Sequence, residues 1–352
     1  MSADFVHLVD LASDRLGASA VAASDEFFAP KERLLKLEAP AWREGEYTDR
    51  GKWMDGWETR RRRDVLPGDP GFDRAHDWCI VHLGAYGVVR GVDVETTHFR
   101  GNFPESCALD VCTMAGAPAA YDLARANWRE VMPRSPLQGH SHNLFPVNHE
   151  TPDRDAGDVH GAHATHVRLR IFPDGGVARL RVYGNVVPDW EALRRRGDVD
   201  LAAVLHGGHV VACSDMFFGS RNNLIMPGDA RGMADGWETK RRRTPGHDWT
   251  IVQLGAPGTI RRVEVDSRHF KGNAPGACSL EACALPAGAR DPEWDPAAAR
   301  DWRELLPRTP LEADRRHTFD VAPASAGAVT HVRFNIFPDG GVARLRLFGR
   351  PA

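Results

Sequence analysis

The chain has 352 residues, of which 42% are hydrophobic and 26% charged, with a formal net charge of -3. That length suits two domains of ordinary size, and the near-neutral charge offers no basic surface for nucleic acid or an anionic membrane. No run approaches 18 apolar residues, so no segment reads as a membrane-spanning helix.

In chain order, the first residues (Met1–Gly17) carry acidic side chains early and no apolar core, so no secretory leader is expected. Six cysteines without an export signal predict reduced thiols and a cytoplasmic protein. The stretch SDEFFAPKERLLKLE, from Ser24, is a helix candidate. WCIVHLGA, from Trp78, predicts a buried strand ending in a glycine turn, and VVRGVDVETTHF, from Val88, a further strand with alternating valines. WREVMP, from Trp128, fits a strand or one helical turn. In HVRLRIF, Val167, Leu169 and Ile171 alternate with His166, Arg168 and Arg170; PDGG supplies turn chemistry; and Ala178, Leu180 and Val182 alternate on the far side. That pattern predicts a hairpin of two half-buried antiparallel strands. PDWEALRRR, from Pro188, predicts a short helix.

Self-comparison sets the architecture, because six blocks recur in order. SDEFFAPKERLL returns as SDMFFGSRNNLI from Ser214, DGWETRRRR as DGWETKRRR, and HDWCIVHLGA as HDWTIVQLGA. HFRGNFPESCALDVC returns as HFKGNAPGACSLEAC, and WREVMPRSPL as WRELLPRTPL. The closing block, Thr165–Gly184, matches Thr330–Gly349 at 16 of 20 positions. The offset between copies falls from 190 to 165, so the second copy has lost loop residues. The reading is an all-β protein with a first repeat at 1–186, a linker at 187–204 and a second repeat at 205–352, each an antiparallel β-sandwich.

The sequence contains no CxxC pair, HExxH, Walker loop, GxSxG or GxGxxG pattern. Asp55 and Glu58, with their twins Asp235 and Glu238, place two carboxylates three residues apart beside a turn. Such carboxylates serve general acid–base chemistry or hold a cation through oxygen; a turn-capping Asp is the plain structural alternative. The runs Arg60–Arg63 and Lys240–Arg243 alternate faces if extended, which leaves two side chains per run for an anion, or else a charged edge. His98 and His269 precede a glycine that allows a sharp turn, with Arg100 or Lys271 and Asn102 or Asn273 as added donors. His140, His142, His149, His160 and His163 gather in a polar loop of the first copy. Cys107 and Cys112, like Cys278 and Cys283, read as buried, inert thiols.

SDEFFA, DGWETRRRR, HDW with its following strand and LGA, HFRGN, and PDGGVARLR(V/L)(Y/F)G together resemble the allantoicase family, over nearly the whole chain and in both copies. The resemblance implies two tandem jelly-roll β-sandwiches of the galactose-binding-like kind. It also implies a hydrolase acting on a C–N bond of a linear amidine, which converts allantoate to ureidoglycolate and urea in purine breakdown. Such a protein is expected to be cytoplasmic and homo-oligomeric, with a small-molecule substrate and neither nucleic acid nor membrane as partner. No cofactor is required by the sequence, and a divalent cation is compatible with it. The rival readings are a non-catalytic carbohydrate-binding sandwich and a related hydrolase acting on ureidoglycolate.

Allantoate carries one carboxylate and two neutral ureido arms, which divides the candidates by role. Glu58 or Glu238 and His98 or His269 take the acid–base roles. Arg60, Arg62, Arg100 and Lys271 are the candidates to bind the carboxylate, and Asn102 and Asn273 those for the ureido groups. The copies are unequal: Arg100, Phe103 and Glu105 of the first correspond to Lys271, Ala274 and Gly276 of the second. Sequence alone leaves open which copy works, or whether the site lies between copies or subunits.

Overall fold

A computed structural model describes residues 4–65, 68–116, 118–147, 162–285, 301–321 and 327–352. The chain divides into two compact units, Met1–Val187 and Pro188–Ala352. Each is almost entirely β.

The first unit contains β1 (Val9–Asp10), β2 (Ser19–Ala23), β3 (Tyr47–Thr48), β4 (Gly51–Lys52), β5 (Trp57–Glu58), β6 (Asp77–Glu95), β7 (Ser106–Cys112), β8 (Arg129–Pro136), β9 (His142–Pro146), β10 (Ala162–Phe172), β11 (Gly176–Val177) and β12 (Arg179–Val186). The long β6 organises it. Its first half pairs with β2 and β10, and β10 continues to β7 and β8. Its second half pairs with β9 and β12, and β12 with β1. One strand therefore serves both layers of a sandwich. Val81, Leu109, Val167, Leu169 and Ile171 from one layer meet Val92, Val94, Leu180 and Val182 from the other in a single core.

The second unit repeats this plan with β13 (Val199–Asp200), β14 (His209–Cys213), β15 (Trp237–Glu238), β16 (Asp248–Asp266), β17 (Ala277–Cys283), β18 (Arg303–Pro310), β19 (Arg316–Asp320), β20 (Val329–Phe337), β21 (Gly341–Val342) and β22 (Arg344–Pro351). Here β16 plays the part of β6. No helix among the described residues is long and apolar enough to cross a membrane.

Several local expectations change. The closing block is not a hairpin: β10 and β12 both pair with β6 and not with each other. PDGG carries the chain from one layer to the other, and the alternation reflects one shared core. The glycine turn expected at the end of WCIVHLGA is absent, and β6 runs straight through Gly84. A Cβ there would lie 2.3 Å from the Cβ of Leu16, so the glycine serves close packing. The segment from Ser24 forms only a 3-10 turn, Lys31–Leu35, preceded by Pro30. Its polar groups are spent on turns: Ser24 Oγ donates to Asp77, and Asp25 accepts from the Phe27 N–H. WREVMP forms β8. The segment 187–204, expected as a linker, holds the predicted helix as Trp190–Arg195, capped by Asp189, and β13, which pairs with β22.

Candidate active site

Glu58 is placed by unusually complete backbone bonding for a two-residue strand. On one side β5 pairs with β11, Glu58 opposite Gly176. On the other its N–H donates to the Ala29 carbonyl, and its own carbonyl accepts from the N–H groups of Phe28 and Ala29. Trp57, fully buried, fills the core beneath, and its indole N–H donates to the Asp25 carbonyl at 2.8 Å. Asn102 is fixed in the same way: its carbonyl accepts from the Gly176 N–H at 2.8 Å. Gly175 makes this possible. Its φ is 140°, and a Cβ there would lie 2.9 Å from the Asn102 carbonyl oxygen.

Thus pinned, the Asn102 amide donates to Glu58 Oε1 at 2.7 Å. Glu58 is 8% exposed. Burial pushes its carboxyl up to about 6, against the pull of the Asn102 hydrogen bond, which favours the charged form. Two cavities meet at this pair. One, of about 420 Å³, brings Glu58 and Asn102 together with His98, Arg100, Trp42 and Lys52. The other, of about 630 Å³, adds Arg61, Arg62, Glu105 and Asp174. A third, of about 830 Å³, shares Phe28, Arg61 and Arg62 with the second and is lined by Arg60 and Asp77. Burial raises the Asp174 carboxyl, while the Arg62 N–H and the nearby Arg61 charge lower it.

The remaining candidates occupy definite places. Asp55 is structural: burial pushes its carboxyl up, but bonds from Lys36, the Ala41 N–H and Arg179 hold it well below the usual carboxylate range. Arg60 is exposed and gives both its backbone N–H and its Nε to Asp25. Arg62 gives Nη1 to Asp77 and the His76 carbonyl, and Nη2 to Asp64. His98 holds φ at 71°, an uncommon value for a residue with a Cβ. Its Nε2–H donates to the Pro40 carbonyl at 3.0 Å, and its backbone N–H donates to His140 Nδ1 at 2.9 Å.

In the second unit Asn273 donates to Glu238 Oε1 in the same arrangement, and His269, with φ of 75°, donates through Nε2–H to the Ala230 carbonyl. Glu238 is only half-buried, whereas Glu58 is buried. Lys271 is exposed beside Asp314. Between Leu35 and Asp55 the first unit has ten residues more than the second has between Ile225 and Asp235. That insertion supplies Trp42 and Lys52, and Gly51 packs against Phe28. Lacking it, the second unit leaves Phe217 and Phe218 70% and 62% exposed.

Of the histidine cluster, His142 opens β9 and contacts Asp93 at 2.7 Å, and His163 lies in β10 beside Tyr86; His149 and His160 lie outside the described residues. All six cysteines are free. Among the described residues, no group of three or more His, Cys, Asp and Glu side chains is arranged to hold a metal ion. Sequence reasoning did not single out Trp42, Lys52 or Asp174. Asp174 has a twin, Asp339, in the recurring PDGG, which was the available signal; the insertion has none.

Comparison with known proteins agrees with this architecture. The allantoicase repeat family model matches residues 9–187 and 199–352. A probable allantoicase of Pseudomonas aeruginosa is 48% identical over 350 residues, covering 99% of this chain and 98% of that protein. One from Photobacterium profundum is 46% identical over 346 residues, covering 98% and 97%. The crystal structure of allantoicase from Saccharomyces cerevisiae superposes with a TM-score of 0.78 at 32% identity, over 99% of this chain and 96% of that one. On sequence, repeat structure and fold together, the chain belongs to the allantoicase family.

Proposed function

We propose that this chain hydrolyses allantoate to ureidoglycolate and urea in the groove around Glu58 of the first unit. The observation that carries the placement is a buried carboxyl, titrating near 6, at the junction of two cavities and steadied by a fixed amide. In the reaction, water's oxygen ends on the carbon that bears the carboxylate, and one of its protons ends on the departing urea nitrogen. A carboxyl poised near the operating pH is suited to move that proton. Ionised Glu58 takes it from water as the C–N bond breaks and returns it to the urea nitrogen. Asn102 holds the Glu58 carboxylate in place, and His98 and Arg100 line the same cavity.

The twin pair Glu238–Asn273 lacks the walls that the ten-residue insertion builds, so the first unit carries the turnover in this reading. The discriminating experiment is urea release from allantoate by the parent, Glu58→Gln and Glu238→Gln proteins, with and without EDTA. Glu58→Gln is expected to lose about 10²-fold or more in kcat, the usual reach of a general base, and Glu238→Gln to stay within a few-fold of the parent. The reverse ranking would move the site to the second unit. Loss of parental activity with EDTA alone would establish a metal requirement.

The same proposal places the enzyme in the cytoplasm as a homo-oligomer. Six free thiols suit a reducing compartment, and the open Met216, Phe217 and Phe218 face of the second unit suits burial against another protein surface. Light scattering of the purified protein reads the assembly directly.

A further inference from the structure

We infer that Arg61 is the residue that grips the substrate's carboxylate, an inference that rests on reading the Glu58 groove as the active site. Four consecutive arginines, Arg60–Arg63, line the cavity of about 830 Å³, but only Arg61 and Arg62 also line the cavity of about 630 Å³ that holds Glu58, and Arg60 and Arg62 have spent their guanidinium groups. Arg60 lies on Asp25, Nε to Oδ2 at 3.1 Å, with its guanidinium 4.6 Å above the Phe27 ring. Arg62 is divided among Asp77, Asp64 and the His76 carbonyl. Arg61 lies between them, lines both the cavity of about 630 Å³ and that of about 830 Å³, and makes no hydrogen bond or ion pair with a described residue.

The charge around it explains why an unspent cation matters. Glu58, Glu105 and Asp174 all face the 630 Å³ cavity. An anionic substrate entering it meets three carboxyl groups and needs an uncommitted positive partner. A guanidinium offers two parallel N–H groups at the spacing of a carboxylate's oxygens and stays charged at every working pH. Burial raises the Asp174 carboxyl, and Arg61 lies close enough for its charge to oppose that rise. With the carboxylate held at Arg61, a ureido arm is left to face the Glu58–Asn102 pair.

The test uses the full chain and two substrates, allantoate and its neutral primary amide. For Arg61→Gln the KM for allantoate should rise about tenfold or more, as expected for loss of a charge-assisted fork, with kcat nearly unchanged. The ratio of kcat/KM for allantoate over the amide should fall by a similar factor. Arg61→Lys should recover part of that ratio, because the charge returns without the fork. A structural defect would depress both substrates together and leave the ratio unmoved. If Arg61→Gln keeps the parental ratio while Glu58→Gln is inactive, the Arg61 inference falls and the groove stands. Parental activity in Glu58→Gln would overturn both.

Discussion

Glu58 and Asn102 form the unit whose chemistry is most sharply set by surroundings. Burial raises the Glu58 carboxyl from 4.5 to about 6, so the folded chain prefers its protonated form. Below pH 4.5 the group is neutral in folded and unfolded chains alike, and its contribution is fully present. As pH rises through 6 the folded chain must hold a buried charge, and that contribution is lost. Glu58→Gln removes the penalty. It should match the parent near pH 4 and exceed it by up to about 2 kcal/mol at about pH 8, read by urea unfolding at both pH values. Activity should move oppositely, climbing in the parent as pH rises through about 6. Asn102→Ala withdraws the donor that favours the charged form, so the same limb should move to higher pH. A limb unchanged in Asn102→Ala would mean that another group sets it.

At the scale of elements, β5 is two residues long and has no stability of its own. Its position comes from β11 and from the Asp55–Arg179 pair directly before it. Arg179 is fully buried. It donates to the Asp55 carboxylate at 2.8 Å and also to the carbonyls of Asp55, Glu38 and Ala178. Removing one partner of a buried pair leaves the other charge without compensation, which costs about 3–5 kcal/mol. Arg179→Met should therefore lower the unfolding free energy by that amount and lower kcat as well, because β5 carries Glu58. Equilibrium denaturation of the full chain reads the first effect, and urea release reads the second. In the twin, Arg344 holds Asp235 and its carbonyl, so the recurring DGWE and GGVAR blocks are one structural device seen from two ends.

For the molecule as a whole, duplication preserves cores more strictly than surfaces. β6 and β16 are both 19 residues long, and Trp57 and Trp237 are both fully buried. Cys79, Cys107, Cys112, Cys278 and Cys283 are likewise buried in the two units. Burial pushes the Cys107 and Cys278 thiols up to about 12 and the Cys112 and Cys283 thiols up to about 11. A thiol reagent at about pH 8 should consequently modify at most Cys213 in the native protein, the one thiol with partial exposure, and all six after denaturation. Mass spectrometry of the labelled chain counts them. Rapid native labelling of Cys107 or Cys278 would contradict this packing.

Much of this was legible in the residues themselves. The repeat and the all-β class follow from blocks that recur in order, since periodicity and turn chemistry are local properties. Strand partners are not local: alternation in β10 and β12 says that each buries one face, but only the sandwich makes β6 their common neighbour. The arginine run shows the same divide. Its composition announces an anion site, yet which guanidinium stays free depends on Asp25, Asp64 and Asp77, two of them far away in sequence, closing on Arg60 and Arg62. Sequence determined that two like units carry twin sets of polar groups. Tertiary structure alone decided that the pair in the first unit is buried, walled and shifted in its titration, because burial and long-range hydrogen bonds come only from segments brought together by folding.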